Sequence, residues 1–448
     1  MMFGDTLRAR TERSPISRFL GAVEVSFCFF AISLYSGGYI PIPVSASGAE
    51  LKAGETNPFN TVAMSLLLCG TLVAVALRWR RVLFVARHGG AINIFLLLVL
   101  LSVTWSYYPV ISLKRFLVLL QTVLLGYYLV ARFPMHRIIQ LWASALFFAM
   151  LASLLAALAF PKIGIMSAGE VAGTWRGVFA HKSSLGAAAM LAALCSGWVW
   201  VHEPRRRLRH SLALLLCLFL AFMSSSKTAQ VAIMLIIALS LCLPLLQLPG
   251  LARVWATFIL AVGAICGVAL LALFFADIME ALGKDPSLTG RVPVWLILLD
   301  LASNRLGLGY GYSAFFIDGN PDSDLVSGLA GWTINEAHNA YIEMVVQLGI
   351  PGLVIALWAL GESAYRAFTL QHDAFRPWLG FAIIYTLTFS ATNLAETILF
   401  RAGDMHCVMF TAIYAVLRIE AARRVAVSQG GLFPPRGPTD PLYAIVTP

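Results

Sequence analysis

Charged residues are scarce in this sequence of 448 residues: Asp, Glu, Lys and Arg make up 12% of it, whereas hydrophobic residues make up 59%. A soluble domain carries about 25% charged residues, so the composition excludes a soluble globular protein. The mean hydropathy is +0.81, and apolar runs long enough for a membrane-spanning helix recur along the whole chain. The composition predicts an all-α, polytopic integral membrane helical bundle.

Several motifs of soluble enzymes and metal proteins are also missing. The seven cysteines form no Cys-x-x-Cys pair and lie in or beside apolar runs, which argues against a disulfide framework or a metal cluster. The glycines Gly307, Gly309 and Gly311 follow no predicted strand, so they do not form a nucleotide-binding loop. The sequence has no nucleophile elbow either.

The formal net charge of +10 does not indicate nucleic-acid binding, because the arginines lie in short clusters between apolar runs. We predict twelve spans with both termini in the cytoplasm, since this topology places the short basic loops inside. The spans are expected at roughly 19–40, 59–79, 91–106, 110–131, 138–160, 184–201, 211–226, 228–247, 254–276, 338–363, 377–396 and 405–420.

This topology divides the chain into successive parts. Residues 1–18 form a cytoplasmic N-terminus, 19–276 hold nine spans, 277–337 form one large periplasmic loop, and 338–420 hold three more spans. Residues 421–448 are rich in Gly and Pro, so they are expected to form a disordered cytoplasmic tail. The first apolar run is longer than the core of a signal peptide, which predicts a retained span.

The large loop is expected to carry structure of its own. The segment from Arg291 to Ala302 predicts a short amphipathic helix, with an apolar face made of Val292, Trp295, Leu296 and Leu299. Aromatic side chains of the loop suit an element at the lipid interface: Trp295, Tyr310, Tyr312, Phe315 and Phe316.

His338 is one of eight histidines, and the topology leaves only His181, His338 and His406 near the outer surface. An imidazole titrates near neutral pH, so it can take a proton from a hydroxyl group. Its neighbours include three side chains that could orient it, namely Glu336, Asn339 and Tyr341. The alternative is that His338 only anchors the helix at the membrane interface.

Small residues follow His338 on the same predicted span. Gly349 and Gly352 lie three residues apart, a spacing that lets a neighbouring backbone approach closely. Pro351 is expected to kink the helix there.

Charged residues are predicted to gather at the outer membrane boundary. Lys227 lies in a tight turn among serine and threonine, and Arg291 follows Thr289-Gly290 at the start of the loop helix. Cations beside hydroxyls and helix-start N–H groups suit a phosphate or pyrophosphate. Snorkelling is the alternative for each residue of the group: Glu24, Lys114, Arg115, Arg176, Lys182, Lys227, Arg291, Arg401 and Asp404.

These motifs, in this order and topology, resemble the O-antigen ligase and polymerase superfamily. The motifs Leu-Thr-Gly-Arg and Ser-Ser-Lys-Thr are most similar to those of exopolysaccharide polymerases of the ExoQ type. Lys227 stands where ligases of the family usually carry Arg. The resemblance rests on His338-Asn339 followed by Gly349-x-x-Gly352, and on Arg176 to Lys182, Ser224 to Thr228, Leu288 to Trp295, and Gly307 to Gly311.

The resemblance implies an inner-membrane glycosyltransferase that joins undecaprenyl-pyrophosphate-linked repeats on the periplasmic face. His338 would activate or orient the acceptor hydroxyl. Arg291 and Lys227, with Arg176 or Lys182, would hold the leaving pyrophosphate. Fixed cations do this work, so we expect no metal and no cofactor. Expected partners are the lipid-linked glycan, membrane lipids and other assembly proteins such as a flippase or chain-length regulator.

Two alternatives remain open at this point. A ligase that transfers glycan to a lipid-A core or to protein belongs to the same superfamily, and the sequence separates it poorly from a polymerase. A transporter or flippase for lipid-linked glycan also fits twelve spans. A transporter is expected to show charges deep within its spans and symmetric halves, neither of which the sequence displays.

Overall fold

The computed structural model describes residues 15–37, 58–167, 171–252, 254–256, 259, 291–373 and 376–429. Within these ranges the chain is helical, with one isolated antiparallel bridge between Ile165 and Trp175. The helices are α1 (Pro15–Tyr35), α2 (Pro58–Leu77), α3 (Trp79–Arg87), α4 (Gly90–Ser102), α5 (Pro109–Arg132), α6 (Met135–Ala159), α7 (Pro161–Gly164), α8 (Lys182–His202), α9 (Arg207–Met223), α10 (Lys227–Cys242), α11 (Arg291–Ser303), α12 (Pro321–Ala330), α13 (Ala340–Asp373), α14 (Pro377–Thr392) and α15 (Met405–Ser428).

The predicted all-α class is confirmed in the described residues, and the chain is a multi-pass membrane protein. Six helices are long and apolar enough to cross a bilayer, or seven if α2 and α3, which meet at 93°, form one broken span. Each predicted span overlaps described helical residues, although most of 254–276 lies outside the described residues. The count of twelve stays a prediction, since α9 and α14 have only 17 and 16 residues.

The C-terminal boundary differs from the prediction. Helix α15 continues to Ser428 instead of ending near residue 420. Glu420 accepts a hydrogen bond of 2.9 Å from Arg376 and lies 3.8 Å from Arg423, so ion pairs support the added turns. Residues 430–448, the rest of the predicted tail, lie outside the described residues, as does the predicted N-terminal segment up to residue 14.

Helix α13 is broken at Gly349, whose φ of 65° and ψ of −163° are not helical. The break frees backbone groups, and the segment after α11 takes them up. Tyr310 N donates to Val346 O at 2.9 Å, Gly311 N donates to Gln347 O at 2.9 Å, and Ile350 N donates to Leu306 O at 2.8 Å. In a regular helix, the N–H of residue 351 would donate to the carbonyl of Gln347. Pro351 has no N–H, so Gly311 N is the donor to that carbonyl instead.

The predicted close approach of a backbone is therefore confirmed at Gly349. A Cβ atom there would lie 2.4 Å from Leu306 O. At Gly352 the atoms nearest to such a Cβ belong instead to Leu348 and Met344 of the same helix. The predicted kink is also confirmed, but its pivot is Gly349, two residues before Pro351.

The large loop contains the predicted helix, α11, but packs it differently. Val294, Leu298 and Ala302 are buried, while Leu296 is 65% exposed. The buried side of α11 belongs to a second apolar core that also includes Val326 of α12 and Val345 and Val346 of α13. This second core fixes the loop on the first half of α13, directly beside His338.

The prediction that the loop aromatics lie at the lipid interface is wrong for Tyr310, Tyr312 and Phe315, which are all buried. Tyr310 and Phe315 pack in the second core, with ring centroids 4.9 Å apart. Tyr312 donates its hydroxyl to Phe400 O at 2.7 Å. Their apolar surface is used inside the protein because the loop folds back onto α13 and the segment before α15.

Candidate functional site

The start of α13 is held by a cap that its own sequence supplies. The Asn339 Oδ1 atom accepts hydrogen bonds from Tyr341 N at 3.0 Å and Ile342 N at 3.2 Å. Glu343 reaches back to accept from Ala337 N at 2.9 Å. Such caps satisfy the unpaired N–H groups of a helix start. The chain therefore enters α13 at a fixed angle, which also fixes the position of His338.

Two of the predicted supporting residues thus have structural partners. Asn339 caps α13, and Tyr341 donates its hydroxyl to Ser390 O at 2.8 Å. The backbone N of Ala340 donates to Asn393 O at 2.9 Å. Together these bonds join the start of α13 to the end of α14.

Glu336 is the supporting residue that reaches His338. One carboxylate oxygen, Oε1, lies 3.1 Å from His338 Nδ1, and the other, Oε2, lies 2.6 Å from Arg401 Nη1. Burial favours a raised pKa for Glu336, but the charge of Arg401 and the His338 imidazole outweigh it and lower the pKa to about 2. The carboxylate is therefore ionised at neutral pH and faces the imidazole as a fixed negative charge.

Backbone strain marks the same region. His338 has a φ of 49°, in the left-handed region that side chains with a Cβ atom rarely adopt. Phe400, next to Arg401, and Ser225, two residues before Lys227, have φ values of 49° and 52°. Strain of this kind clusters at functional sites, where the surrounding structure enforces it.

Glu396 is a site residue that the sequence reasoning missed. Its carboxylate lies with Glu336 and His338 in a cluster whose ligand atoms are all within 4.8 Å of one another. Burial and the charge of Glu336 raise the pKa of Glu396, while Arg291, His338 and a hydrogen bond with Thr228 oppose that rise. An acid between two apolar spans, in the turn after α14, was the available signal.

Arg291 joins the cluster from the loop helix. Its Nη1 atom donates to Ala395 O at 2.8 Å, one residue before Glu396. Thr228, the residue after Lys227, is close enough to Glu396 to lower the pKa of that carboxyl, so the turn that carries Lys227 lies beside the same cluster. The predicted residues His338, Glu336 and Arg291 are thus brought to one region around Glu396. Lys227 begins the adjacent helix, and its Nζ atom donates to Gln230 Oε1 at 3.3 Å.

Glu336, His338 and Glu396 also form a donor set that could hold a metal ion. An imidazole and two carboxylates are ligands that Zn²⁺ accepts. Arg401 already pairs with Glu336, however, and the charge of Arg291 acts on Glu396. Two fixed guanidinium groups supply the positive charge that a metal would bring, so the donor set fits a metal poorly.

Two of the other predicted cations, Lys227 and Lys182, lie at neighbouring helix starts. Lys227 is the first residue of α10, after the cap Ser226, and Lys182 is the first residue of α8. The two starts are close, since a Cβ atom at Gly186 would lie 2.7 Å from the Ser226 side chain. Arg176 is engaged by backbone carbonyls, donating to Ile163 O at 2.7 Å.

Residues 212–357 match the family model described as O-antigen ligase. The exopolysaccharide production protein ExoQ of Rhizobium meliloti (strain 1021) is 32% identical over 104 residues. The resemblance to the O-antigen ligase and polymerase superfamily is confirmed. The alignment with ExoQ covers 21% of this chain and 23% of that protein, so the chain spans about a quarter of the length of this curated relative.

The family match covers only part of the site. The matched stretch contains Lys227, Arg291, Glu336 and His338. Glu396 and Arg401 follow it in the chain, and Arg176 and Lys182 precede it. The segment that matches this family model therefore forms its charged cluster together with side chains from outside the matched residues.

Proposed function

We propose that this protein is a membrane glycosyltransferase that joins polyprenyl-pyrophosphate-linked oligosaccharide repeats into exopolysaccharide on the outer face of the inner membrane. The observation that carries the proposal is the contact of ionised Glu336 with His338 Nδ1 at 3.1 Å. A carboxylate there favours the tautomer with the proton on Nδ1, as in catalytic triads. The Nε2 atom is then left as a base for an acceptor hydroxyl.

The reaction is a direct displacement at the anomeric carbon of the donor glycan. The acceptor hydroxyl gives its proton to His338 Nε2, and its oxygen forms the new glycosidic bond. The bond from the anomeric carbon to the pyrophosphate breaks, and the polyprenyl pyrophosphate leaves with the electron pair. The anomeric centre is inverted.

The cations of the cluster act on the leaving group. Arg291 and Lys227 stabilise the charge that develops on the pyrophosphate, and Lys182 at the start of α8 adds to the same field. Arg401 acts through Glu336, which it keeps ionised. Arg176 holds the turn before α8, with its guanidinium on Ile163 O. This scheme needs neither a metal nor a cofactor.

The first test is His338→Ala, expressed at the normal level in cells that make the polymer. We expect loss of polymer yield and chain length. His202→Ala is the matched control, because His202 is exposed and is the last residue of α8, at the opposite end of that helix from Lys182. Unchanged polymer in His338→Ala cells would remove the catalytic role of His338.

The name of the curated relative favours exopolysaccharide as the product. A ligase would instead transfer the glycan to a lipid-A core or to protein, so the product distinguishes a polymerase from a ligase. A deletion strain tests it. Loss of polymerisation supports a polymerase, whereas accumulation of full-length lipid-linked polymer indicates a ligase.

A transporter or flippase is the candidate from another class. Purified protein in detergent, given lipid-linked repeats, separates it from an enzyme, because an enzyme lengthens the repeats without any membrane gradient. We further propose both termini in the cytoplasm, and cooperation with a flippase and a chain-length regulator.

A further inference from the structure

Trp332 is an exposed aromatic side chain beside His338. It is 41% exposed, and its ring centroid lies 6.4 Å from that of the His338 imidazole, with 32° between the ring planes. The proposed reaction does not use the Trp332 side chain. A large apolar ring left open next to a candidate base is a surface on which a substrate can rest.

The segment that carries Trp332 is fixed on both sides. Before it, Gly331 ends α12 in the left-handed conformation with φ 78°. After it, Ile334 N donates to Ser327 Oγ at 3.0 Å, and Trp295 Nε1 donates to Ala337 O at 2.8 Å. Ile334 itself is buried in the second core. The backbone at Trp332 is therefore positioned before any ligand binds, which lowers the entropy cost of binding.

The chemistry of the indole suits a sugar. A pyranose ring presents a face of C–H bonds, and these pack on the electron-rich face of an aromatic ring. Among the residues that the structure describes, none accepts a hydrogen bond from the indole N–H of Trp332. The indole N–H of Trp295, in contrast, donates to Ala337 O. The Trp332 N–H is thus a donor for a sugar hydroxyl.

We propose that Trp332 is the platform on which the acceptor sugar stacks, so that one of its hydroxyls faces His338. Trp332 is then a residue that determines specificity for the acceptor. This inference rests on the proposed function, since it assumes that His338 acts on an acceptor hydroxyl. The ligand class is the terminal pyranose of the acceptor glycan, not the pyrophosphate, which the cations hold.

The test uses purified protein and an acceptor that cannot act as donor. A repeat-unit glycan on a fluorescent alkyl aglycone has no pyrophosphate, so it reports acceptor binding alone. We expect Trp332→Leu to raise KM for this acceptor about tenfold, the scale of one aromatic contact. kcat and the KM for the lipid-linked donor stay near the wild-type values. Trp332→Phe keeps a ring and restores most of the affinity.

The control is Trp358→Leu, because Trp358 is 47% exposed and lies far along α13 from His338. An unchanged acceptor KM in Trp332→Leu overturns the inference, as does a change in donor KM alone. An equal loss in Trp332→Leu and Trp358→Leu also overturns it, because it indicates that Trp332 only anchors the protein in the bilayer. A wild-type protein that lengthens no lipid-linked repeat contradicts the proposed function instead.

Discussion

The imidazole Nδ1 of His338 lies 3.1 Å from the Oε1 atom of Glu336. This contact joins two residues separated by a single alanine, and His338 makes it from a strained backbone with a φ of 49°. The strain at His338 and the charge of Glu336 therefore serve one purpose, which is to set the orientation of the imidazole before a substrate binds.

Replacement of Glu336 tests that purpose. Glu336→Gln keeps the shape but removes the charge that favours the proton on Nδ1. We expect kcat to fall about 10- to 100-fold, the range seen when the hydrogen-bonded partner of a functional histidine is replaced. The KM for the donor should change little. The measurement is polymerisation by purified protein, and Glu203→Gln, which alters an acid paired with Arg206, is the control. Equal rates in Glu336→Gln and wild type would contradict this role.

The same carboxylate predicts a dependence of stability on pH. The folded-state pKa of Glu336 is lowered from 4.5 to about 2, so its contribution is fully present above pH 4.5. The contribution is lost as the pH falls from 4.5 towards 2. Because Arg401 is half exposed, we expect only about 1–2 kcal/mol. Thermal unfolding of Glu336→Gln and wild type should differ most at neutral pH and converge in acid. A gap that is constant with pH would refute this.

Arg291 is expected to act on the donor. Arg291→Ala removes a guanidinium from the cluster around Glu396 and should lower kcat/KM for the lipid-linked donor about 10- to 100-fold, because the charge that develops on the pyrophosphate loses a partner. Arg305→Ala is the matched control on the same loop, since Arg305 stacks over Tyr107 at 4.3 Å. If both substitutions weaken donor use equally, the effect belongs to the fold of the loop. Turnover at limiting donor is the quantity to measure.

The break in α13 makes a prediction about stability. In Gly349→Ala the new Cβ atom would lie 2.4 Å from Leu306 O, at a backbone φ of 65°. We expect a loss of about 3 kcal/mol in the free energy of unfolding. Gly361→Ala on the same helix meets nothing within 4 Å and should be neutral or slightly stabilising. Denaturant titration of both variants in detergent decides, and a tolerated Gly349→Ala would show that the break is not required.

The sequence was sufficient to predict the helical class, because apolar runs with arginine clusters between them leave little choice of fold. It also offered Glu336, Asn339 and Tyr341 as side chains that could orient His338, of which Glu336 contacts the imidazole, and Arg291 as a cation at the outer boundary. Glu396 was missed because its partners, Arg291 and Thr228, are more than 100 positions away in the chain. The burial of Tyr310, Tyr312 and Phe315 was missed because hydrophobicity alone does not distinguish a lipid-facing ring from one in a protein core.

The discontinuity at Gly349 also bears on how the protein responds to its bilayer. Helices adapt to a change in hydrocarbon thickness mainly by tilting. The turns before Gly349 are held by Asn393 O and by the segment around Tyr310, and the non-helical backbone of Gly349 separates them from the turns after Pro351. We therefore expect the part of α13 after Pro351 to change its tilt with membrane thickness more than the part before Gly349, so that His338 keeps its place.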